Sequence, residues 1–215
     1  MNIKRILAFA LSTTAFATQL FAHSVWIETN ETNQLVVRFA EPTGNLERSP
    51  GYLDSLTPPD AFVLITNAPV MVDAPKKNNH FLLVNASPTN AAFVETFFTV
   101  RAARKPIFYA RWHPPKAGEG KPLLTFDLVP TGKTGEARAY FRGQPIGGLK
   151  ATLLTPKGDE SELVADASGL IQVTNEIPGQ YLLTLAHHRE PIAGIHLGVP
   201  YKETSHNCSL VWTQE

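Results

Sequence analysis

The chain has 215 residues, in which 19 lysine and arginine residues balance 19 aspartate and glutamate residues to a formal net charge of zero at pH 7. This balance lacks the basic excess of a nucleic-acid binder, so we expect no nucleic-acid partner. The single cysteine, Cys208, excludes an internal disulfide. Its position just before the apolar run 210–212 predicts a thiol buried in a strand.

Residues 1–22 have the pattern of a secretory signal peptide. Lys4 and Arg5 supply the positive start, an apolar run follows, and Leu20-Phe21-Ala22 is an acceptable cleavage tripeptide. Cleavage after Ala22 gives a leader of the usual length, and we prefer it to the alternative cut after Ala17. The mature protein is therefore expected in the periplasm. No later run is apolar for long enough to span a bilayer, so the mature chain is not expected to span the membrane.

Beyond the leader, short runs rich in Val, Ile, Phe and Tyr alternate with Pro, Gly and Asn. This alternation predicts an all-β protein. Residues 52–56, which precede two prolines, are expected to form a single helical turn. In the first part of the chain we predict strands at residues 25–28, 34–39, 61–66, 70–72, 80–84, 96–101, 107–112 and 123–128.

The polar stretch 129–135 contains one proline and two glycines, and we interpret it as a linker between two domains. The sequence thus predicts an N-terminal β domain over residues 23–130 and a second domain over residues 136–215. The second domain is expected to be a small immunoglobulin-like or transthyretin-like β-sandwich. Its seven predicted strands are 136–142, 150–155, 162–165, 170–173, 180–186, 193–198 and 208–213.

Several stretches resemble the bacterial domain-of-unknown-function family 4198. They are Ala22-His23 with Val25-Trp26-Ile27-Glu28, then Phe39-Ala40-Glu41-Pro42 running into residues 45–54, then Asp127-Leu128-Val129-Pro130, and the C-terminal module with Phe141-Arg142-Gly143-Gln144-Pro145-Ile146, Asp166-Ala167-Ser168-Gly169 and Pro178-Gly179-Gln180-Tyr181. The resemblance covers nearly the whole mature chain. It implies an exported protein associated with nickel or cobalt uptake. Ala40 departs from the family pattern, which has a glycine before the glutamate.

His23 is the strongest candidate for a metal ligand. If it is the first residue of the mature chain, its free α-amine and its imidazole lie on one residue and can chelate a metal together. The amine titrates at about pH 7.7 to 8.0, so a metal displaces its proton at neutral pH. Imidazole binds Zn, Cu, Fe and Ni, and a nitrogen-rich tetragonal site points to Cu(II) or Ni(II). The alternative is that His23 merely follows the leader and begins a strand.

Metal ligation needs further donors, and the chain has seven histidines. His187 and His188 end a predicted strand; neighbouring strand residues face opposite sides, so one of the two is expected at a given site. The resemblance places a histidine here near the N-terminal one, and we favour His188. His206, just before the last predicted strand, is a further candidate. Glu28 and Glu41 are candidates for orienting a histidine. His113 is expected to end a strand, and His80 and His196 show no partners in the sequence.

No sequence motif supports an enzyme, because the chain lacks the nucleophile elbow, dinucleotide fingerprint, phosphate loop and zinc-protease motif. We therefore expect a non-enzymatic protein that binds a divalent transition metal and passes it to a membrane transporter. The expected metal is Ni²⁺, with Cu²⁺ and Co²⁺ as alternatives. A different class remains open: a structural or carbohydrate-binding β module, with Tyr52, Trp112 and Tyr201 as exposed contacts.

Overall fold

The computed structural model describes residues 23–115, 117–174 and 177–215. These residues contain one 3-10 helix, at Tyr52–Ser55, and no α-helix. The all-β prediction is confirmed, as is the single helical turn. None of the described residues forms a helix long and apolar enough to cross a membrane. The strands are β1 Ser24–Thr29, β2 Leu35–Ala40, β3 Asp60–Ile65, β4 Ala68–Val72, β5 Phe81–Leu82, β6 Ala92–Phe97, β7 Arg104–His113, β8 Phe126–Pro130, β9 Glu136–Phe141, β10 Gln144–Pro145, β11 Lys150–Leu154, β12 Glu160–Val164, β13 Leu170–Gln172, β14 Gly179–Glu190, β15 Gly194–His196, β16 Val199–Tyr201 and β17 Glu203–Gln214.

An eight-stranded sheet forms the centre of the molecule, in the order β12-β11-β14-β17-β7-β6-β3-β4. Its neighbours are antiparallel except for β17 and β7, which run parallel from Glu203 beside Arg104 to Trp212 beside His113. A parallel pair needs a long connection. Here the connection contains every strand from β8 to β16, so the last strand of the chain returns beside a strand from its first half.

Two smaller sheets cover the two faces of this central sheet. The first, in the order β1-β2-β5, packs through β1 against β7 and β17. The second contains β10, β9 and β13 with β8 paired to β9, and it packs through β8 on the same two central strands. Strands β7 and β17 are therefore covered on both faces, which explains their nearly continuous burial.

Side chains along β7 point alternately to the two faces of the central sheet, so this one strand contributes to two cores. Phe108 and Trp112 belong to the core beneath the β1-β2-β5 sheet. Ile107 and Tyr109 belong to the core beneath β8 and β9. Successive residues of a strand point to opposite faces, so a strand buried on both faces needs apolar residues at nearly every position.

The first two residues of the predicted linker, Val129 and Pro130, belong to β8, and residues 131–135 connect β8 to β9. These two strands pair with each other from Phe126 opposite Phe141 to Pro130 opposite Ala137. Strand β17, from the second predicted domain, pairs with β7 of the first. Strands of both predicted domains thus contribute to the central sheet. The core under the β1-β2-β5 sheet comes mainly from the first predicted domain, and the core under β8 and β9 comes mainly from the second. Their independence as folding units stays a prediction.

Some local predictions about strands are wrong. The predicted strand 96–101 shares only Thr96 and Phe97 with β6, which ends at Phe97. Residues 193–198 do not form one strand, because Leu197 and Gly198 adopt positive φ angles of 49° and 78° and reverse the chain into the β15–β16 hairpin. The last strand does not begin at Cys208 but at Glu203, so His206 lies inside β17. Polar residues 203–207 hid this start from a prediction based on apolar runs.

Candidate functional site

His23 lies at the edge of the core under the β1-β2-β5 sheet. It shares a strand face with Val25 and Ile27, both of which are buried. Its ring packs against the rings of Phe39 and Tyr52, with centroid separations of 5.0 Å in both cases. The side chain remains 27% exposed. His23 is thus held by two aromatic rings and is still accessible from solvent.

Glu47 is the polar partner of His23. The Nε2 atom of His23 lies 2.6 Å from Oε1 of Glu47. In a neutral imidazole that donates from Nε2, the other ring nitrogen, Nδ1, carries the lone pair. A histidine that binds a metal commonly donates its other N–H to a carboxylate, which sets the tautomer and the ring orientation. The contact fits a His23 tautomer that donates from Nε2 to Glu47 and leaves Nδ1 as the acceptor.

The loop that carries Glu47 is fixed at several points. The Glu47 N–H donates to the carbonyl of Phe39 at 3.1 Å, and the Ser49 N–H donates to the carbonyl of Asn78 at 2.6 Å. Gly51 has a φ of 149°, and a Cβ at this position would lie 2.9 Å from the carbonyl oxygen of Arg48, so the turn requires glycine. Tyr52 then begins the 3-10 helix and brings its ring to His23.

Asp54 closes this loop with three hydrogen bonds. Its carboxylate accepts from Nζ of Lys76 at 2.8 Å, from the Gly51 N–H at 2.9 Å and from Oγ of Ser49 at 2.8 Å. These donors, with Lys76 first, lower the pKa of Asp54 to about 2. Glu47 and Tyr52 therefore lie on either side of a turn that these hydrogen bonds to Asp54 hold in place.

His188 and His206 form a second group on the other face of the central sheet. They are paired across β14 and β17, with ring centroids 6.3 Å apart. His188 packs on Phe141 at 4.4 Å and on Phe126 at 5.5 Å, and both rings come from the covering β8–β9 layer. The structure thus brings together two of the histidines singled out in the sequence.

His206 is 4% exposed, and both of its ring nitrogens have partners. Nδ1 lies 3.1 Å from the hydroxyl of Tyr109. Nε2 lies 3.0 Å from Oε2 of Glu190 and 3.3 Å from the hydroxyl of Thr204. Burial lowers the pKa of His206, although the Glu190 carboxylate opposes this effect. These contacts are those of a buried histidine that is satisfied by its own surroundings.

His187 lies in a bulge of β14, where the pairing with β17 shifts between Leu185 and His188. Its φ is 64°, and its N–H donates to Oδ1 of Asn207 at 3.0 Å. Burial, together with the charges of Arg189 and Arg104, lowers the pKa of His187. His187 therefore lies in the bulge, whereas His188 resumes the pairing with His206.

His23 and His188 contact different layers. His23 packs on Phe39 of β2, whereas His188 packs on Phe126 and Phe141 of the layer across the central sheet. Within residues 23–115, 117–174 and 177–215, no group of three or more His, Cys, Asp or Glu side chains is arranged to hold a metal ion. The His23 side chain therefore stands with Glu47 and two aromatic rings as its neighbours in the structure.

The other polar candidates have structural roles. Glu28 accepts from Nε1 of Trp26 at 2.7 Å and from Nε of Arg38 at 2.8 Å, so its carboxylate is already engaged. The carbonyl of Glu41 accepts from the Gly44 N–H at 2.8 Å, and the structure gives its side chain no contact with a histidine.

Two expectations about exposed or partnerless side chains are wrong. Trp112 is buried and donates to the carbonyl of Pro88 at 2.9 Å, so it is no surface contact for an adhesive module. His80 lies 2.8 Å from Oδ1 of Asn79, so it has a polar partner after all. His196 packs on Phe97 with centroids 5.6 Å apart, but its buried Nε2 has no hydrogen-bond partner, in line with the sequence. Two expectations from the sequence are met: His113 ends β7, and Cys208 is buried in β17. Burial also raises the pKa of the Cys208 thiol.

Sequence reasoning overlooked Glu47 and Tyr52 as neighbours of His23. Both belong to the stretch 45–54 that resembles the family, so a signal was present in the sequence. Their closeness to His23 depends on the turn at Gly51, which returns the loop to the start of β1. No family model matches the chain, and no curated protein matches it.

Proposed function

We propose that this protein, exported and cleaved after Ala22, binds a divalent transition metal through His23 and delivers it to a membrane transporter. The observation that carries the proposal is the 2.6 Å contact between Nε2 of His23 and Oε1 of Glu47. It fixes the ring through the nitrogen that an N-terminal chelate does not use. The resemblance to an exported family associated with nickel or cobalt uptake supports the same function.

The chemistry of the proposed ligands is simple. An α-amine and the Nδ1 of the same residue close a six-membered ring around a metal, which an internal histidine cannot do. The carboxylate of Glu47 makes the imidazole a stronger electron-pair donor to a metal, because it accepts a hydrogen bond from Nε2–H and stabilises positive charge on the ring. Two nitrogens from a single residue leave the remaining coordination positions to water or to the receiving transporter.

This incomplete ligand set suits delivery better than storage. No group of three or more metal-binding side chains forms among the described residues, so the protein itself supplies few ligands. His23 is partly exposed at the edge of its core, where a second protein can reach the ion. Of the internal candidates, His206 already has partners at both nitrogens. We therefore place the chelate at His23 and make no use of His187, His188 or His206 as ligands.

Ni²⁺ is the first metal to test, because the resemblance points to nickel or cobalt. Cu²⁺ binds more tightly than Ni²⁺ or Co²⁺ to nearly any nitrogen site, so affinity alone does not identify the metal used in the cell. A copper-binding protein with the same ligands is the alternative. Both versions involve metal capture without a catalytic step.

The test is a competitive titration of two purified forms with Ni²⁺ and Cu²⁺, one beginning at His23 and one retaining Ala22. In the longer form the amine is in a peptide bond and the chelate cannot form. We expect tight binding by the first form only. Equal binding by both, or binding by neither, would contradict the proposal and favour a structural or carbohydrate-binding module, which requires neither a free His23 amine nor a metal.

A further inference from the structure

The hairpin formed by β15 and β16 extends from one end of the central sheet with an apolar tip. Ile195 is 74% exposed and Leu197 is 69% exposed. Ile192 and Val199 are also exposed, so four large aliphatic side chains lie within eight residues. Single exposed aliphatic residues are common, but a contiguous group marks an interaction surface.

The hairpin has one face toward the body of the protein and one toward solvent. Residues opposite each other in an antiparallel pair share a face. Gly194 and Tyr201 are paired, and the glycine lets the Tyr201 ring lie against the hairpin backbone. His196 packs on Phe97 of the central sheet. Ile195 is paired with Pro200 on the opposite face, where both are exposed.

The local backbone does not explain the leucine at the tip. Leu197 and Gly198 both have positive φ angles, a conformation in which two-residue turns favour Asn-Gly or Asp-Gly. A leucine here is disfavoured by its backbone, and its side chain is exposed to water. Its presence is accounted for if the tip meets an apolar phase.

Three exposed cations lie in segments next to the base of the hairpin. Lys202 follows β16 directly, and its N–H donates to the carbonyl of Ala103 at 2.8 Å, which places the turn after Arg101 beside it. Arg189 lies at the end of β14, opposite Ser205 of β17. The side chains of Arg101, Arg189 and Lys202 are all exposed.

Two acidic residues at this end are in ion pairs. Glu203 forms an ion pair with Arg104, and Glu190 forms one with Arg142 at 2.8 Å. The chain has no net charge, so a basic collar around an apolar tip is a local asymmetry. Aliphatic side chains that enter the headgroup region, flanked by cations that meet lipid phosphates, are the features of a protein that docks on an anionic bilayer.

We infer that the β15–β16 hairpin docks on an anionic phospholipid bilayer through its tip, with Ile195 and Leu197 entering the interface. The cations Arg101, Arg189 and Lys202 contact the headgroups. Such docking would hold the protein at the membrane surface without a spanning segment. None of these residues contacts His23 or Glu47 directly, although the Arg101 guanidinium lies over the Tyr52 ring, 5.3 Å from its centroid.

The test is flotation of the protein with vesicles of phosphatidylcholine alone and of phosphatidylcholine mixed with phosphatidylglycerol. We expect flotation with the mixed vesicles only, and less of it at high salt. Leu197→Asn keeps the turn, because Asn tolerates a positive φ, but removes the apolar tip. This variant should bind the mixed vesicles about tenfold more weakly or worse, with no loss of thermal stability.

Met71→Asn is the matched control, because Met71 is also a large exposed apolar side chain, 67% exposed. It lies on β4, an edge strand of the central sheet, and not on the hairpin. This variant should bind like the wild type. The inference is overturned if the wild type fails to float with anionic vesicles, if it floats equally with neutral ones, or if Leu197→Asn binds as well as the wild type. The absence of vesicle binding would point instead to a protein partner for the hairpin.

Discussion

Glu47 accepts a hydrogen bond from Nε2 of His23 across 2.6 Å, although the two residues are 24 positions apart in the chain. The loop that makes this contact is held by its own hydrogen bonds through Ser49, Gly51 and Asp54. The carboxylate is thus supplied to the imidazole by the fold and does not depend on a bound ion to bring it there.

Replacing this carboxylate tests its role in metal binding. We expect Glu47→Gln, in the form that begins at His23, to bind Ni²⁺ and Cu²⁺ about 10- to 100-fold more weakly, as is typical when the carboxylate partner of a metal-binding histidine is lost. Competitive titration measures the change. Glu41→Gln is the control on the same loop and should bind like the wild type. An unchanged affinity for Glu47→Gln would show that this carboxylate does not orient a ligand.

A buried ion pair joins the central sheet to the β8–β9 layer. Arg111 donates to both carboxylate oxygens of Asp127, at 2.9 and 2.6 Å, and the two side chains are 1% and 0% exposed. We expect Asp127→Asn to lower the free energy of unfolding by about 3–5 kcal/mol, because the guanidinium would remain buried without its counter-charge. Urea denaturation measures this loss.

The control for that experiment is the exposed pair of Lys150 and Glu162, whose side chains are 72% and 59% exposed. Lys150→Gln should change the free energy of unfolding by less than about 1 kcal/mol, since water screens an exposed pair. Similar losses in the two variants would mean that burial does not govern the Arg111 pair.

Acid should destabilise the protein through histidines whose pKa is lowered in the folded state. Burial is the largest cause of a lowered pKa for several of them: His80, His113, His187, His196 and His206. When a folded-state pKa lies below the unfolded value, the unfolded chain binds more protons between the two, so stability falls as pH drops through the unfolded value of about 6.5. Chemical denaturation from about pH 7.5 to about pH 5.5 measures this slope.

His113 allows one contribution to be isolated. Its Nε2 lies 3.3 Å from the carbonyl of Ala117, a contact that opposes the effect of burial on its pKa. His113→Gln removes the titrating group and should give a shallower loss of stability in the same pH range. A slope equal to that of the wild type would show that His113 titrates alike in the folded and unfolded chains.

The turn at Leu197 gives a prediction about stability that is separate from membrane docking. Leu197→Asn should raise the free energy of unfolding by up to about 1 kcal/mol, because Asn adopts the left-handed region at lower cost than Leu. Leu197→Ala is the control, since it removes the exposed side chain but keeps the backbone penalty. Equal stabilities of the Asn and Ala variants would show that the backbone of this turn carries no strain.

The second predicted domain is not expected to fold alone. Strand β17 pairs with β7 along ten residues, and its Ser209 hydroxyl donates to the carbonyl of Val25 at 2.7 Å. A fragment of residues 136–215 would expose this edge and one apolar face, so we expect no cooperative unfolding transition by circular dichroism. A sharp transition in the fragment would support two independent folding units, as the sequence prediction holds.

The sequence by itself determined the all-β class, the helical turn near Tyr52 and the burial of Cys208. These features depend on local patterns: apolar runs, turn residues and their spacing. The same patterns drew attention to His23, because the residue that follows a leader can be read without knowledge of the fold. They also indicated that His187 and His188 could not face the same side of a strand.

Only the tertiary structure decided which residues meet. The parallel pairing of β17 with β7 joins residues about a hundred positions apart, and no periodicity in the sequence specifies it. It places His206 between Tyr109 and Glu190, so both ring nitrogens of this candidate metal ligand already have hydrogen-bond partners. The fold of the loop at Gly51 likewise selects Glu47, and not Glu28 or Glu41, as the partner of His23. Local propensity acts over a few residues, whereas these contacts depend on how the sheets pack.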